Sequence, residues 1–405
     1  MKKLLQINSV VNYGSTGRIA EEIGQTAIAT GWKSYIAYGR NNRQSQSELI
    51  KIGTDCNIKM HGLQTRLFDR HGLASKLATT TLVEQIEKIK PNIIHLHNIH
   101  GYYLNIEVLF HYLKNTNIPV VWTFHDCWPI TGHCVHFEFI KCNKWKYQCY
   151  NCPQKRTYPV SFLFDRSEKN FNLKKHLFSS LPNLTLVPVS NWLSDILKES
   201  FLKDFPIQVI HNGINIEVFK PKAERSKSRK YNLENKTVIL GVANVWSQRK
   251  GLDDFIELSR IIDATFQIIL VGLSKKQIKE LPNNIIGIER TESVNELAEL
   301  YSISDMFINP TYEDNFPTTN IEAIASGTPV ITYKTGGSPE AIDDSTGLIV
   351  EKGDINGLIE AIHHIKNKGK DAYTSFCRQR GLDKYRKEDR YQEYIELYEK
   401  ILNNK

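Results

Sequence analysis

The sequence predicts an α/β protein of two domains, each built on a parallel sheet that is covered by helices. Short β-rich runs alternate along the chain with stretches of helical periodicity, as a parallel sheet with crossover helices requires. The chain has 405 residues, of which 41% are hydrophobic, and this is enough to fill two cores of ordinary size. The same composition excludes a disordered chain.

The first domain opens with the strand LLQINSV, and further strands are predicted at SYIAYG, NIIHLHN, VVWTFHD and LTLVPVS. The loop NYGSTG follows the first strand and precedes a helix. Gly14 and Gly17 in this loop let backbone approach a ligand at the carboxyl end of the strand. The third glycine of the dinucleotide fingerprint is missing, so this loop alone is a weak signal for a site.

Two histidine-containing segments, HLHNIHG and TFHDCW, lie just past buried strands. This is the edge at which α/β sheets bind ligands. His125 and Asp126 belong to the second segment. A histidine in this position is more often a hydrogen-bonded structural residue than a catalytic one, and both interpretations are kept here.

The change of domain is predicted near PVSNWLSDILKES and IQVIHNGIN. Ser190 follows a strand there and is placed to cap a helix that begins at Asn191. The strand TVILGVAN opens the second sheet, and QIILVG, GIERT and MFINPT continue it. Arg249 and Lys250 stand in the loop before Gly251 and a helix; taken alone, two such cations are ordinary surface charge.

The block YEDNFPTTNIEAIASGTPV, residues 312–330, carries two carboxylates, Asp314 and Glu322, with seven residues between them. The eight steps from one to the other span up to roughly 12 Å if helical. One acid could therefore hold a ribose while the other faces a sugar across a diphosphate. The alternative is a pair of solvated acids on an ordinary helix.

The residues between the two acids predict a loop followed by a helix. Phe316 and Pro317 close the loop, Thr318 or Thr319 caps the helix, and Gly327 ends it. A helix N-terminus offers free N–H groups and a positive dipole end, which suit a phosphate.

This block resembles the donor-site signature of family 4 glycosyltransferases, which are retaining enzymes. The resemblance covers nearly the whole chain and is strongest from Ile239 to Leu348. It implies the GT-B fold, in which two Rossmann-like domains face a cleft and the C-terminal helix crosses back to the first domain. The family pattern has Glu at both acidic positions; here Asp314 replaces the first, and Glu313 lies one residue out of register.

The resemblance also implies roles for individual residues. Lys250 matches a lysine that clamps the donor diphosphate, and Arg249 replaces an arginine whose usual position falls near Asn244. The implied catalytic residues are His125, Lys250, Arg249 and Asp314. The implied donor-binding residues are Gly17, Arg249, Lys250, Asp314, Phe316, Pro317, Thr318 and Glu322. Gly336, Gly337 and Glu340 match a loop beside the donor site.

The predicted domains are an acceptor-binding domain at 1–190, a nucleotide-sugar-binding domain at 191–385, and a returning C-terminal helix at 386–405. The tail from Lys387 to Leu402 is amphipathic with helical periodicity, as the last of these requires. A cysteine-rich insertion interrupts the first domain near 133–153.

This insertion contains Cys134, Cys142, Cys149 and Cys152 in the pattern C-x(7)-C-x(6)-C-x(2)-C. Four thiolates can hold zinc tetrahedrally, and a metal would order a long insertion with little core of its own. The alternatives are free thiols in a packed loop, or an iron–sulfur cluster. No cofactor is expected to be needed for catalysis.

The expected location is the cytoplasm, with contact at the inner face of a membrane as an open alternative. No run of eighteen apolar residues occurs, and MKKLLQINSVV is too short for a signal peptide. The net charge of +8 does not demand a nucleic-acid partner. Between Lys141 and Lys175, however, nine basic residues face only two acidic ones. That segment suits an anionic membrane surface or is simply a solvated basic face.

The predicted function is retaining transfer of a sugar from a nucleoside-diphosphate sugar to a hydroxyl of a glycan or lipid-linked glycan, in bacterial surface polysaccharide biosynthesis. A nucleotide-sugar epimerase or hydrolase of related fold is one alternative. A zinc-bearing nucleic-acid-binding protein is another, since it would explain the cysteines and the basic run.

Overall fold

The structure, a computed structural model, describes residues 1–222, 231 and 233–404. The chain divides into two compact units. The first unit contains Met1–His211 together with the chain from Arg390 onward, and the second contains Asn212–Asp389.

The first unit is built on a parallel sheet of six strands in the order β3-β2-β1-β4-β5-β6. The strands are β1 Lys3–Asn8, β2 Lys33–Tyr38, β3 Glu48–Lys51, β4 Ile93–Leu96, β5 Val120–Phe124 and β6 Leu184–Pro188. The helices are α1 Gly14–Ala29, α2 Asp55–Phe68, α3 Lys76–Ile89, α4 Ile106–Lys114, α5 Ser167–Phe178 and α6 Asn191–Glu199. Strands β1, β4 and β5 are almost wholly buried, as a sheet covered on both faces requires.

The second unit repeats this plan with a parallel sheet in the order β12-β11-β10-β7-β8-β9. Its strands are β7 Thr237–Val242, β8 Phe266–Val271, β9 Ile285–Ile288, β10 Met306–Asn309, β11 Val330–Tyr333 and β12 Gly347–Val350. Its helices are α7 Leu252–Ile261, α8 Lys275–Glu280, α9 Val294–Ile303, α10 Thr318–Ala325, α11 Ile355–Lys368 and α12 Asp371–Tyr385. The two-sheet α/β fold predicted from the sequence is confirmed.

The last helix, α13 Lys387–Asn403, completes the core of the first unit. Its buried tyrosines Tyr391, Tyr394 and Tyr398 pack in one apolar cluster with side chains of β1 and α1. The Tyr398 hydroxyl lies 2.7 Å from His95 Nδ1, so the polar end of a buried ring is satisfied by a strand residue. The predicted return of the C-terminal helix to the first domain is therefore confirmed.

Each sheet changes its direction of winding at one place. In the first unit the strand order reverses between β1 and β4, and in the second between β7 and β10. In open α/β sheets, ligands bind at the carboxyl ends of the strands beside such a switch point. In the second unit these ends lead into the loop of Arg249 and Lys250 and into the block 312–330.

Over the described ranges, 1–222, 231 and 233–404, we find no helix with both the length and the apolar character that crossing a bilayer would need.

Candidate functional site

The loop after β7 passes very close to the end of β10. Gln248–Lys250 form a single 3-10 turn, and Gly251 follows with a φ of 75°. A Cβ atom at Gly251 would lie 2.2 Å from the Pro310 carbonyl oxygen, which no side chain tolerates. The Tyr312 N–H also donates to the Arg249 carbonyl at 2.9 Å. Glycine is therefore what allows the cationic loop to lie against the acidic block.

This approach brings the two predicted cations to the predicted acids. Lys250 Nζ forms an ion pair with Asp314 Oδ2, and each of the two side chains is 21% exposed. Arg249 Nη1 donates to the Glu313 carbonyl at 3.0 Å, and its Nε lies 3.9 Å from Glu313 Oε1. The Glu313 side chain is only 4% exposed. Asp314, rather than Glu313, is thus the more accessible acid of this loop.

Glu322 is buried within α10, at 3% exposure. Its Oε2 accepts a hydrogen bond of 2.9 Å from the Tyr301 hydroxyl, which belongs to α9. The tyrosine fixes the carboxylate, because a buried charge without a hydrogen-bond donor would be very costly. Tyr301 could not be identified as this partner from the sequence, since it lies twenty-one residues away in a different helix.

The start of α10 differs from the prediction. Thr318 is the first helical residue and Pro317 occupies the N-cap, with no side-chain hydrogen bond at that position. The expectation that Thr318 or Thr319 caps the helix was wrong, because both lie inside it. No cap side chain therefore takes up the N–H groups of the first turn. The Phe316 side chain is buried, with its ring centroid 6.0 Å from that of Tyr385, so it packs in the core.

A buried network of polar side chains fixes the loops around this helix. Asn320 in α10 accepts a hydrogen bond from Asn309 at the end of β10, at 2.8 Å, and donates to the Ser338 carbonyl at 3.1 Å. The Ser338 hydroxyl lies 2.6 Å from that of Thr332 in β11. The neighbouring Gly337 N–H donates to the Asp314 carbonyl at 3.3 Å. The Gly336–Gly337 loop thus lies beside Asp314.

A second set of contacts ties α7 to the acidic block. Asp254 Oδ1 accepts hydrogen bonds of 2.8 Å from the hydroxyls of both Tyr312 and Tyr333. Burial and the neighbouring Asp254 carboxylate raise the pKa of Tyr333 above its usual range, so its hydroxyl stays protonated and donates. These residues position the loops and were not recognised from the sequence.

In the first unit, His125 ends a buried chain of hydrogen bonds. Gln6 Nε2 donates to the Ala20 carbonyl at 2.7 Å, which turns its Oε1 toward His97 Nε2 at 3.0 Å. His97 therefore carries its proton on Nε2, and its Nδ1 accepts from His125 Nε2 at 3.1 Å. Burial lowers the pKa of His125 to about 4, so its ring is neutral at pH 7.

Asp126 orders the loop that follows His125. Its Oδ1 accepts from the Trp128 N–H at 2.9 Å and its Oδ2 lies 2.7 Å from His100 Nε2. Burial alone would raise the pKa of Asp126, but His100, His136 and the Trp128 N–H together outweigh burial and hold that pKa at about 2. Asp126 therefore holds the start of the loop that follows β5.

The glycine loop after β1 is also close-packed. The Asn12 N–H donates to the Gly17 carbonyl at 3.0 Å, and a Cβ at Gly17 would lie 3.0 Å from Val10 Cγ2. The exposed Arg18 side chain donates from Nε to the Gly14 carbonyl at 3.3 Å. Gly17 and Arg18 therefore lie at the N-terminus of α1, beside the switch point of the first sheet.

The four cysteines of the insertion lie around one small cavity, together with His133. Within residues 1–222, 231 and 233–404, however, no three His, Cys, Asp or Glu side chains are arranged as they would be around a metal ion. The predicted zinc-binding arrangement is not preformed.

The chain matches the family Glycosyltransferase Family 4 over residues 16–218 and Glycosyl transferases group 1 over residues 236–367. The chain belongs to glycosyltransferase family 4. It is therefore a glycosyltransferase, and its two parallel six-stranded sheets form the GT-B fold.

Three similar proteins span its length. WcaC of Escherichia coli strain K12, provisionally named a colanic acid biosynthesis glycosyl transferase, is 23% identical and aligns over 98% of this chain and 100% of its own. The structure of sucrose-phosphate synthase from Thermosynechococcus elongatus has a TM-score of 0.75 at 19% identity, covering 100% of both chains. That of Anabaena HepE in complex with UDP-glucose has a TM-score of 0.71 at 14% identity, covering 99% of this chain and 100% of that one.

We expect Gly251→Ala to destabilise the second unit more than the positive φ alone explains. Gly31 has a φ of 85° but open space around its missing Cβ, so Gly31→Ala measures the conformational cost by itself, about 1–2 kcal/mol. Gly251→Ala should exceed that cost, because the added methyl group displaces the loop from Pro310. Urea denaturation of both variants checks this, and equal losses of unfolding free energy would contradict it.

Acid should destabilise the first unit between about pH 6.5 and pH 4. Burial lowers the pKa of both His61 and His125 to about 4, whereas an unfolded histidine titrates near 6.5. In this window the unfolded chain binds protons that the folded chain does not, so stability falls as pH falls. For His61 alone the loss from pH 7.5 to pH 5 is roughly 1–2 kcal/mol.

Urea midpoints at the two pH values, followed by tryptophan fluorescence, test this expectation. Of the six tryptophans, only Trp246 lies in the second unit, so the signal reports mainly on the first. In His61→Asn the difference between the two midpoints should shrink. Midpoints that are equal at both pH values in the unmodified protein would contradict the assignment.

Proposed function

We propose that this chain transfers a sugar from a nucleoside-diphosphate sugar to a hydroxyl of a glycan or lipid-linked glycan, with retention of anomeric configuration. One observation carries the proposal: at the switch point of the second sheet, Lys250 and Arg249 lie with Asp314 ahead of a helix N-terminus that has no side-chain cap. Cations and free N–H groups suit a diphosphate, while a carboxylate suits sugar hydroxyls.

In this proposal the diphosphate draws Lys250 out of its ion pair with Asp314. The pair is partly exposed on both sides, so exchanging the carboxylate for a phosphate costs little desolvation. Asp314 then accepts hydrogen bonds from the donor sugar, and Glu322 is assigned to the ribose. As the glycosidic bond breaks, negative charge grows on the departing diphosphate, and Lys250 and Arg249 stabilise it.

Retention is proposed to follow front-face attack through an oxocarbenium-like state. The departing phosphate oxygen takes the proton of the acceptor hydroxyl. The acceptor oxygen then bonds to the anomeric carbon on the face of the sugar that the phosphate leaves. We assign His125 a hydrogen bond to a hydroxyl of the transferred sugar. Its neutral ring, which the lowered pKa ensures, makes this contact without adding charge.

A surface polysaccharide is proposed as the product, because the full-length relative from E. coli is named for colanic acid biosynthesis. A lipid-linked acceptor would lie at a membrane, and the first unit has a surface that suits a membrane. Phe162 and Leu163 are 55% and 62% exposed, and the stacked rings of Phe68 and Phe164 lie beside them in α2 and in the same loop. The basic residues between Lys141 and Lys175 are in the surrounding sequence.

We expect one member of a panel of UDP-, GDP- and ADP-sugars to release its nucleoside diphosphate slowly without acceptor. Lys250→Ala should lower this rate on the order of a hundredfold or more, since it removes the cation that faces the leaving group. Glu322→Gln should weaken donor binding. Lys334→Ala is the matched control, because Lys334 forms an exposed ion pair with Glu351 in the same unit.

If no donor is turned over and none binds by calorimetry, the donor-site assignment fails. If Lys334→Ala slows nucleoside-diphosphate release as much as Lys250→Ala does, the loss reflects only the change in net charge. The assignment of Lys250 to the diphosphate is then refuted.

We expect the protein to sediment with vesicles that contain anionic lipid and to be released by salt, which screens surface charge. The double variant Phe162→Ser with Leu163→Ser should bind several-fold more weakly. Phe376→Ser is the control, since Phe376 is equally exposed, at 56%, but belongs to the second unit. Absence of binding to anionic vesicles would favour the solvated-face interpretation of the basic segment.

A further inference from the structure

The proposed transfer reaction leaves the cysteine-rich insertion without a role. Residues 131–166, all of which the structure describes, contain one single-turn 3-10 helix at Lys144–Lys146 and no strand. Such a segment has few backbone hydrogen bonds of its own and little apolar core. Something else must hold its conformation, and its buried groups indicate what that is.

The four cysteines of the insertion surround one cavity. Cys134, Cys142, Cys149 and Cys152 all line it, and its volume is about 10 Å³, close to that of a single small atom or water. The thiols of Cys134 and Cys152 are hydrogen-bonded to each other. The remaining cysteines of the chain, Cys56, Cys127 and Cys377, do not line this cavity.

A buried cation stands next to this cluster. Lys174, in α5, is 2% exposed, and its Nζ donates to the carbonyls of Trp128 and Thr131 at 2.7 and 3.0 Å. Neither of these partners carries a charge. Burial lowers the pKa of Lys174 to about 7, and the neighbouring Cys149 and Cys134 oppose this shift. A buried ammonium is costly without an anion nearby, and thiolates in the cavity would supply that anion.

An unpartnered histidine nitrogen lies at the same cavity. His133 Nδ1 is 2.6 Å from Asp69 Oδ1, whereas its Nε2 is buried and makes no hydrogen bond. The side chain is fully buried and lines the cavity. Nδ1 is held by a carboxylate, so the other nitrogen is oriented for a neighbour in the cavity, as in the carboxylate–histidine pairs that surround metal sites.

We propose that this cavity binds one zinc ion through the thiolates of Cys134, Cys142, Cys149 and Cys152. Four thiols lose four protons to solvent as the ion binds, and the resulting site carries two negative charges. Lys174 lies beside these charges and offsets part of them, while the His133 ring lines the cavity from outside the ligand shell. Zinc is the divalent ion that four thiolates and a tetrahedral geometry favour.

The loop must contract for this site to form, because the thiols do not yet stand in a ligand arrangement. Cys142, Cys149 and Cys152 are only half-buried, whereas Cys134 is buried, so these three are the ligands with room to move. The free energy of zinc binding then stabilises the folded conformation of the insertion. The site is structural, since all four coordination positions are filled by protein.

Elemental analysis of the full-length protein, purified without chelator, tests the proposal directly. We expect one zinc per chain, with the partly exposed thiols of Cys142, Cys149 and Cys152 protected from a thiol reagent until the metal is displaced by a mercurial. Cobalt substitution should give a thiolate-to-metal charge-transfer absorption with the intensity of four thiolates. Neither measurement depends on a variant that folds.

Variants then locate the site. Cys142→Ser with Cys149→Ser should abolish stoichiometric zinc, while Cys56→Ser should retain it. His133→Gln should keep both the zinc and the charge-transfer intensity of four thiolates. Removal of zinc by a chelator should increase hydrogen exchange in residues 131–166 and leave the second unit unchanged.

Four outcomes would overturn the proposal. A metal-free protein in which Cys142, Cys149 and Cys152 react freely means that the cysteines only pack, and a Cys134–Cys152 disulfide means that the cluster is a redox pair. Iron with inorganic sulfide would indicate a cluster in place of zinc. Loss of zinc in His133→Gln, with three-thiolate intensity in the unmodified protein, would make His133 a ligand in place of one cysteine.

Discussion

The absence of a side chain at Gly251 is the constraint on which the candidate donor site depends. Because residue 251 has no Cβ, the loop after β7 lies against the Pro310 carbonyl. This close packing places Lys250 beside Asp314 and Arg249 beside the Glu313 backbone. The hydrogen bond from the Tyr312 N–H to the Arg249 carbonyl stabilises the same contact from the loop after β10. The position of two cations is thus set by backbone packing, at the place where the sheet topology opens a binding edge.

Buried polar groups then hold the site rigid before any ligand arrives. Asn309, Asn320 and Ser338 satisfy one another across the ends of two strands and a helix, and Tyr301 does the same for Glu322. A buried polar group without a partner costs free energy, so these paired side chains keep their positions. A site that stabilises charge gains most when its dipoles need no reorganisation during the reaction. The hydrogen-bonded chain from Gln6 through His97 to His125 in the first unit is held in the same way.

Much of this arrangement could be predicted from the sequence, because it follows local rules. The buried strands appear as apolar runs, Ser190 caps the helix at Asn191 as predicted, and the last helix was expected from its periodicity. The strands Glu48–Lys51, Val330–Tyr333 and Gly347–Val350 were not predicted. The first and the last are short edge strands with exposed residues that weaken the apolar pattern. The cap of α10 was misassigned because proline and threonine are both acceptable at a helix start. The contacts of Tyr301, Asp254 and Gln6 join distant positions, and no spacing rule exposes such pairs.

The structure of the protein with a bound nucleoside diphosphate would test the central claim most directly. We expect oxygens of the diphosphate within about 3 Å of Lys250 Nζ and of the first-turn amides of α10, with Lys250 released from Asp314. A nucleotide bound elsewhere, with the ion pair between Lys250 and Asp314 intact, would contradict the assignment of the donor site.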